Sequence, residues 1–177
     1  ILILGMHRTG TSLLGNCLYE LGIDYGIKKN MDKNIVNPNG YFENDSFTQF
    51  FDHLLLKNNM EWKNIKFNEL KYNHADIIKF KNILENEFFS NNFYFIKDPR
   101  IVKFINFFKL NFIEYEIYYV VTKRNKTDTI DSLTKAQEIS YDNALKLYNT
   151  HYEIIKNNLK DYFAVDHKDL LYDTESV

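Results

Sequence analysis

The residues best equipped for chemistry stand at the start of the chain. After the apolar run Ile1-Leu2-Ile3-Leu4 comes Gly5-Met6-His7-Arg8-Thr9-Gly10-Thr11-Ser12, followed by the helix-like LLGNCLYELG. Two glycines in a strand-to-helix turn let backbone N–H groups approach an anion, and the N-terminal dipole of the next helix favours negative charge. Arg8 adds a permanent fork of donors, and Thr9, Thr11 and Ser12 add hydroxyls. A Walker A loop, G-x-x-x-x-G-K-[ST], carries Lys after its second glycine to reach the β/γ-phosphates. Thr11 occupies that position here. The loop therefore reads as an anion site without the usual grip on a triphosphate.

A second basic group lies far along the chain. Arg124 ends the apolar run EIYYVVTKR, and Ser132 follows eight positions later in RNKTDTIDSLTKA. A basic fork at a strand end, with a hydroxyl about two helical turns on, suits a second phosphate. Two spaced anion sites in one crevice imply a ligand with two separated acidic groups. Lys97-Asp98-Pro99-Arg100 supplies a third charged cluster, and Glu43 closes the stretch NPNGYFE.

These residues need a scaffold that gathers strand ends. Short apolar runs alternate with longer segments of helical period, which predicts βα units around a parallel sheet. Strands are expected at 1–5, near Gly22–Gly26, and at 93–98, 116–124 and 162–167. Helices are expected at 11–21, 46–58 with Ser46 as N-cap, 74–89, 101–109, from near Thr127, and over 142–159. The aperiodic stretch 28–44 reads as a long loop, a length usually kept for function. The fold class predicted is α/β: a doubly wound, mostly parallel sheet flanked by helices, with ligands beyond the carboxyl ends of its strands.

Bulk properties narrow the function. The 177 residues, 45% hydrophobic and 26% charged, suit one domain with one core. A net charge of −2 gives no broad basic face, so no nucleic-acid partner is expected. No apolar run reaches the ~20 residues of a membrane span. The lone Cys17 has no internal disulfide partner, which points to a reducing, cytoplasmic setting. The five histidines (7, 53, 74, 151, 167) show no metal-ligand spacing, so no metal is expected. The 16% aromatic content looks like a coding bias.

The motifs in order, GMHRTGTS, NPNGYFE (37–43), KDPR (97–100) and VDHKDLL (165–171), resemble those of the sulfotransferases that use 3′-phosphoadenosine-5′-phosphosulfate (PAPS), in particular a bacterial type. The resemblance runs from Ile1 to about Leu171 and implies a P-loop-containing nucleotide fold. It implies that Gly5, His7, Arg8, Thr9, Gly10, Thr11 and Ser12 hold the 5′-phosphosulfate, and Arg124 and Ser132 the 3′-phosphate. Many relatives have Lys where Arg8 stands, neutralising the bridging oxygen as the sulfuryl group departs, and the resemblance implies the same catalytic role for Arg8. Relatives usually continue into a basic, glycine-containing segment over the 3′-phosphate, so the domain is expected to be truncated at its C-terminus.

The expected reaction is in-line sulfuryl transfer from PAPS to an acceptor hydroxyl, carbohydrate-like or of another small molecule, leaving adenosine 3′,5′-bisphosphate (PAP). Two carboxylates compete for the role of base, Glu43 and Asp98. Each has a structural alternative: Asp98 as the ion-pair partner of Arg100 or Lys97, Glu43 as an acid near a helix N-terminus. Trp62 and Tyr41 are candidates for an apolar or sugar-stacking wall. Two other functions compete: a P-loop kinase of a nucleoside or small metabolite, for which Asp98 is the candidate Mg²⁺ acid, and a non-catalytic nucleotide-fold interaction domain.

Overall fold

The run Leu2–Leu4 has no polar side chain to offer solvent, so a strand made of it must be covered on both faces. In the computed structural model, which describes residues 1–30, 40–66, 69–88 and 93–172, this strand (β1, Leu2–Leu4) is the inner strand where the chain changes direction. Leu2 and Leu4 point into one apolar cluster and Ile3 into another on the opposite face. On β1's flanks lie β4 (Ile96–Lys97), with Leu2 beside Ile96, and β5 (Tyr119–Lys123), with Leu4 beside Val121. Beyond β5 comes β6 (Phe163–Asp166), giving a parallel sheet of order β4-β1-β5-β6. The chain leaves β1 to build β4 on one side, then crosses to build β5 on the other. The carboxyl end of β1, where Gly5 begins the loop, is thus the switch point at which such sheets open a ligand crevice.

Helices cover both faces. Leu14 of α1 (Thr11–Glu20) packs with Ile3, Tyr25, Phe42 and Phe95. The other face carries α2 (Asp45–Lys57), α3 (His74–Glu87), a 3₁₀ turn over Pro99–Phe104 and α4 (Ile105–Asn111). Met6 packs with α5 (Lys126–Gln137) and α6 (Tyr141–Asn158), and α7 (His167–Tyr172) follows β6 directly. The α/β class and the parallel sheet are as the sequence predicts.

Several local expectations change. Near Gly22–Gly26, among the described residues, Asp24 alone pairs, through a parallel bridge to Tyr94 in which Phe95 N–H donates to Asp24 O at 2.9 Å. The 101–109 segment is not one helix, because Pro99 and the Asp98 cap start a tighter 3₁₀ turn before α4. Within 28–44, β2 (Lys29–Asn30) and β3 (Glu43–Asn44) pair antiparallel, while residues 31–39, including Asn37, Pro38 and Asn39 of NPNGYFE, lie outside the described residues. The cap of α2 is Asn44, not Ser46: Asn44 Oδ1 accepts from the N–H groups of Ser46 and Phe47. Ser46 donates its hydroxyl instead to Glu87 at 2.7 Å.

The aromatic residues have a structural use. Phe80 is fully buried, with its ring 5.0 to 6.0 Å from those of Phe47, Phe50, Phe51, Phe107, Phe108 and Phe112. Offset and edge-on pairs of this kind add to the area they bury. Phe80→Ala should therefore lower stability by about 3–5 kcal/mol, read as a shift in the urea midpoint.

Candidate active site

The loop after β1 is closed by tight packing at its base. A Cβ on Gly5 would overlap Thr122 Oγ1 and approach Thr9 Oγ1 to 2.7 Å. Thr9 is fully buried; its hydroxyl donates to Met6 O at 2.7 Å and lies 2.8 Å from Thr122 Oγ1. This hydroxyl thus holds the loop to β5. Arg8 and Gly10 have left-handed backbone, with φ of 71° and 98°, a conformation that costs a non-glycine residue free energy and is often found at ligand sites. At Gly10 a side chain would also meet His167 Cδ2 at 2.8 Å. Among the described residues no side chain caps α1 at Gly10, and a helix N-terminus favours an anion.

Two cavities of about 140 Å³ each flank this loop and share Arg8, Thr11 and Ser12. The first adds Gly10, Arg124 and His167. Arg124 Nη1 donates to Arg8 O at 3.0 Å, and Arg8 Nε donates to Ser132 Oγ at 3.0 Å. The two guanidinium groups are close enough for burial and Arg124 to pull the Arg8 ionisation below its usual value. Burial and Arg124 likewise depress His167. A concave surface that brings like charges together in this way gains from a bound anion. The structure thus brings together Arg8, Arg124 and Ser132, three residues 116 to 124 positions apart or eight apart in sequence.

The second cavity adds His7, Tyr41, Glu43, Lys97 and Arg100. Glu43 sits in β3 just after Phe42, which is buried with φ of 53°. Phe42 packs against Gly15 of α1, where a Cβ would stand 3.0 Å from Phe42 Cβ. That strained turn directs Glu43 to Lys97, whose Nζ donates to Glu43 Oε1 at 2.7 Å and to Tyr41 O at 2.9 Å. Burial pushes the Glu43 carboxyl above its ordinary range, against the pull of Lys97. Asp98 is differently engaged. Its oxygens accept from the backbone N–H, Nε and Nη2 of Arg100 at 2.9, 2.7 and 2.8 Å and from Thr48 Oγ1 at 3.1 Å. Arg100 also donates to Asp52 at 2.6 Å. Of the two carboxylates weighed from sequence, Glu43 lines the cavity, and Asp98 forms the Arg100 ion pair.

Beneath the loop lies a set of polar groups that sequence spacing does not reveal. The His7 ring is 4.5 Å from Trp62, and Lys103 holds the Trp62 turn by donating to Glu61 O, Trp62 O and Asn64 O at 2.9, 2.9 and 3.3 Å. Trp62 also packs with the cluster of Met6 and Ile130, so its role includes the core. His151 is buried, its Nδ1–H donating to Leu147 O at 2.9 Å. Glu87 was likewise missed: its carboxylate accepts from Ile27 N, Lys28 N, Asn44 Nδ2 and Ser46 Oγ, fixing β3 and the start of α2. His167, part of VDHKDLL in the sequence, covers Gly10. His151 and Glu87 have no motif around them; each is defined by contacts from distant elements.

No protein-family model and no curated protein matches the chain. Among solved structures, a deoxyadenosine kinase from M. mycoides with bound dATP aligns over 98% of this chain and 92% of its own, at 15% identity and a TM-score of 0.48.

The buried histidines make the fold sensitive to acid. Burial lowers His151 from 6.5 to about 4, and burial lowers His7 well below 6.5, with neighbouring cations adding to the effect. Below pH 6.5 the unfolded imidazoles take protons that the folded ones refuse, so stability present at neutral pH is lost as pH falls towards 4. His151 accounts for about 3 kcal/mol of that loss. Urea unfolding at pH 7.5 and 4.5 should show a smaller pH difference in His151→Asn, which retains a donor for Leu147 O, than in the wild type.

Proposed function

We propose that the chain binds PAPS along the loop and transfers its sulfuryl group to a hydroxyl in the second cavity. The observation that carries this reading is the pair of cavities sharing Arg8, Thr11 and Ser12. One holds two guanidinium groups suited to a phosphate, and the other holds a buried carboxylate suited to a proton. A donor with two acidic ends would place its 3′-phosphate by Arg124, with Ser132 orienting Arg8, and its phosphosulfate at the N-terminus of α1. The acceptor hydroxyl would enter beside Glu43.

In that arrangement Glu43 takes the acceptor proton as the acceptor oxygen bonds to sulfur. The bond from sulfur to the bridging oxygen breaks, and its electron pair stays on the departing phosphate. Arg8 and the first-turn N–H groups of α1 meet that charge where it develops. Lys97 fixes the Glu43 rotamer, and burial raises the basicity of the carboxylate. Asp98 holds Arg100 in the cavity wall.

The test uses radiolabelled PAPS and a panel of sugar and phenol hydroxyls. Glu43→Gln should lower kcat roughly 10²- to 10⁴-fold while PAP affinity stays within about threefold. Unchanged turnover in Glu43→Gln, with loss in a folded Asp98→Asn, would assign the base to Asp98 and contradict this reading.

A further inference from the structure

The second cavity contains a polar atom whose hydrogen bonding is incomplete. His7 Nε2 is buried and, among the described residues, has no hydrogen-bond partner, although His7 lines the cavity beside Glu43. Native interiors rarely leave such an atom without a partner, so each one calls for an explanation. The charges on the same wall are matched. Lys97 pairs with Glu43 at 2.7 Å, and Arg100 pairs with Asp98 at 2.7 Å and with Asp52 at 2.6 Å. Arg8 also lines the first cavity and is tied to Ser132, so it belongs with the donor's anionic groups. Trp62 fixes the imidazole from one side. Among the described residues, Lys97 and Arg100 of this wall are each paired with carboxylates, and the His7 ring offers an incoming molecule a hydrogen bond.

We infer that His7 Nε2 is the hydrogen-bond partner of the acceptor, and that the acceptor presents an uncharged hydroxyl, alcohol, phenol or sugar, to this wall. The inference rests on the proposed transfer and names its acceptor class and a residue that selects it. A neutral imidazole bonds a hydroxyl in either tautomer, whereas a carboxylate or ammonium there would be desolvated without a counter-charge. His7 is accordingly a specificity residue, with Glu43 as the proton acceptor.

Imidazole ¹⁵N spectra of histidine-labelled protein loaded with PAP test this, with His7 assigned by the signal missing in His7→Gln. Phenol, methyl β-glucoside, benzoate and benzylamine serve as probes. A saturable shift of His7 Nε2 with phenol or the glucoside, absent with benzoate and benzylamine, is expected. An Nε2 signal unmoved by both hydroxyl probes while PAP binds would mean that the nitrogen meets only water; it would overturn the inference and leave the donor reading standing. A shift with PAP alone would overturn it by moving His7 to the donor side. Failure of PAP to bind would instead remove the donor reading, and the inference with it. In transfer to the responding probe, His7→Leu should lose roughly ten- to a hundredfold in kcat/KM with PAP affinity within twofold, and His7→Gln should recover most of the loss. Equal rates in all three proteins would overturn the assignment.

Discussion

The shortage of space between Gly5 and Thr122 governs the rest of the site. With no side chain at position 5, β1 and β5 come close enough for Thr9 to lie against Thr122 and donate to Met6 O. That fixes the backbone on which Arg8 and Gly10 take left-handed φ values, and it delivers Thr11 and Ser12 to the start of α1. A conformation so determined by packing requires little rearrangement when a ligand arrives, which is how pre-organised anion sites save free energy on binding.

Charge is distributed around this loop by a division of labour. On one side Arg124 donates to the loop's own carbonyl and lies close enough to Arg8 to depress its ionisation together with burial, an arrangement of two guanidinium groups that favours an anion. On the other side Lys97 and Arg100 each have a carboxylate: Lys97 has Glu43, and Arg100 has Asp98 and Asp52. The buried pair Lys97–Glu43 does not stand out as a stabilising device, since desolvation offsets much of its attraction. Its value is positional, because Phe42, Gly15 and Glu87 all help to hold Glu43 where it faces the cavity. The His7 ring, packed on Trp62, completes that wall with a neutral group.

Much of this was legible in the residues themselves. The strand-to-helix turn and the parallel sheet follow from glycines, apolar runs and spacing, which are local signals; the bond from Arg8 to Ser132 does not. What escaped was set by distant contacts. Ser46 reads as a helix cap, yet Glu87, 41 positions away, takes its hydroxyl, and Asn44 caps the helix instead. Sequence places Glu43 ahead of Asp98 for proton transfer without excluding Asp98; the four donors from Arg100 and Thr48 that engage Asp98 show only in three dimensions. The many phenylalanines carried no period-based message, because their stacking around Phe80 joins α2, α3 and α4 rather than one helix face.

The central claim is that this loop and Arg124 grip a nucleotide with two separated acidic groups rather than a triphosphate. Calorimetric titration with PAP and, in parallel, with Mg²⁺–ATP tests it directly, with Arg124→Ala as the comparison. Tighter binding of PAP, weakened at least tenfold in Arg124→Ala, is the predicted result. Preference for Mg²⁺–ATP, unaffected by loss of Arg124, would contradict it and turn the site towards phosphoryl transfer.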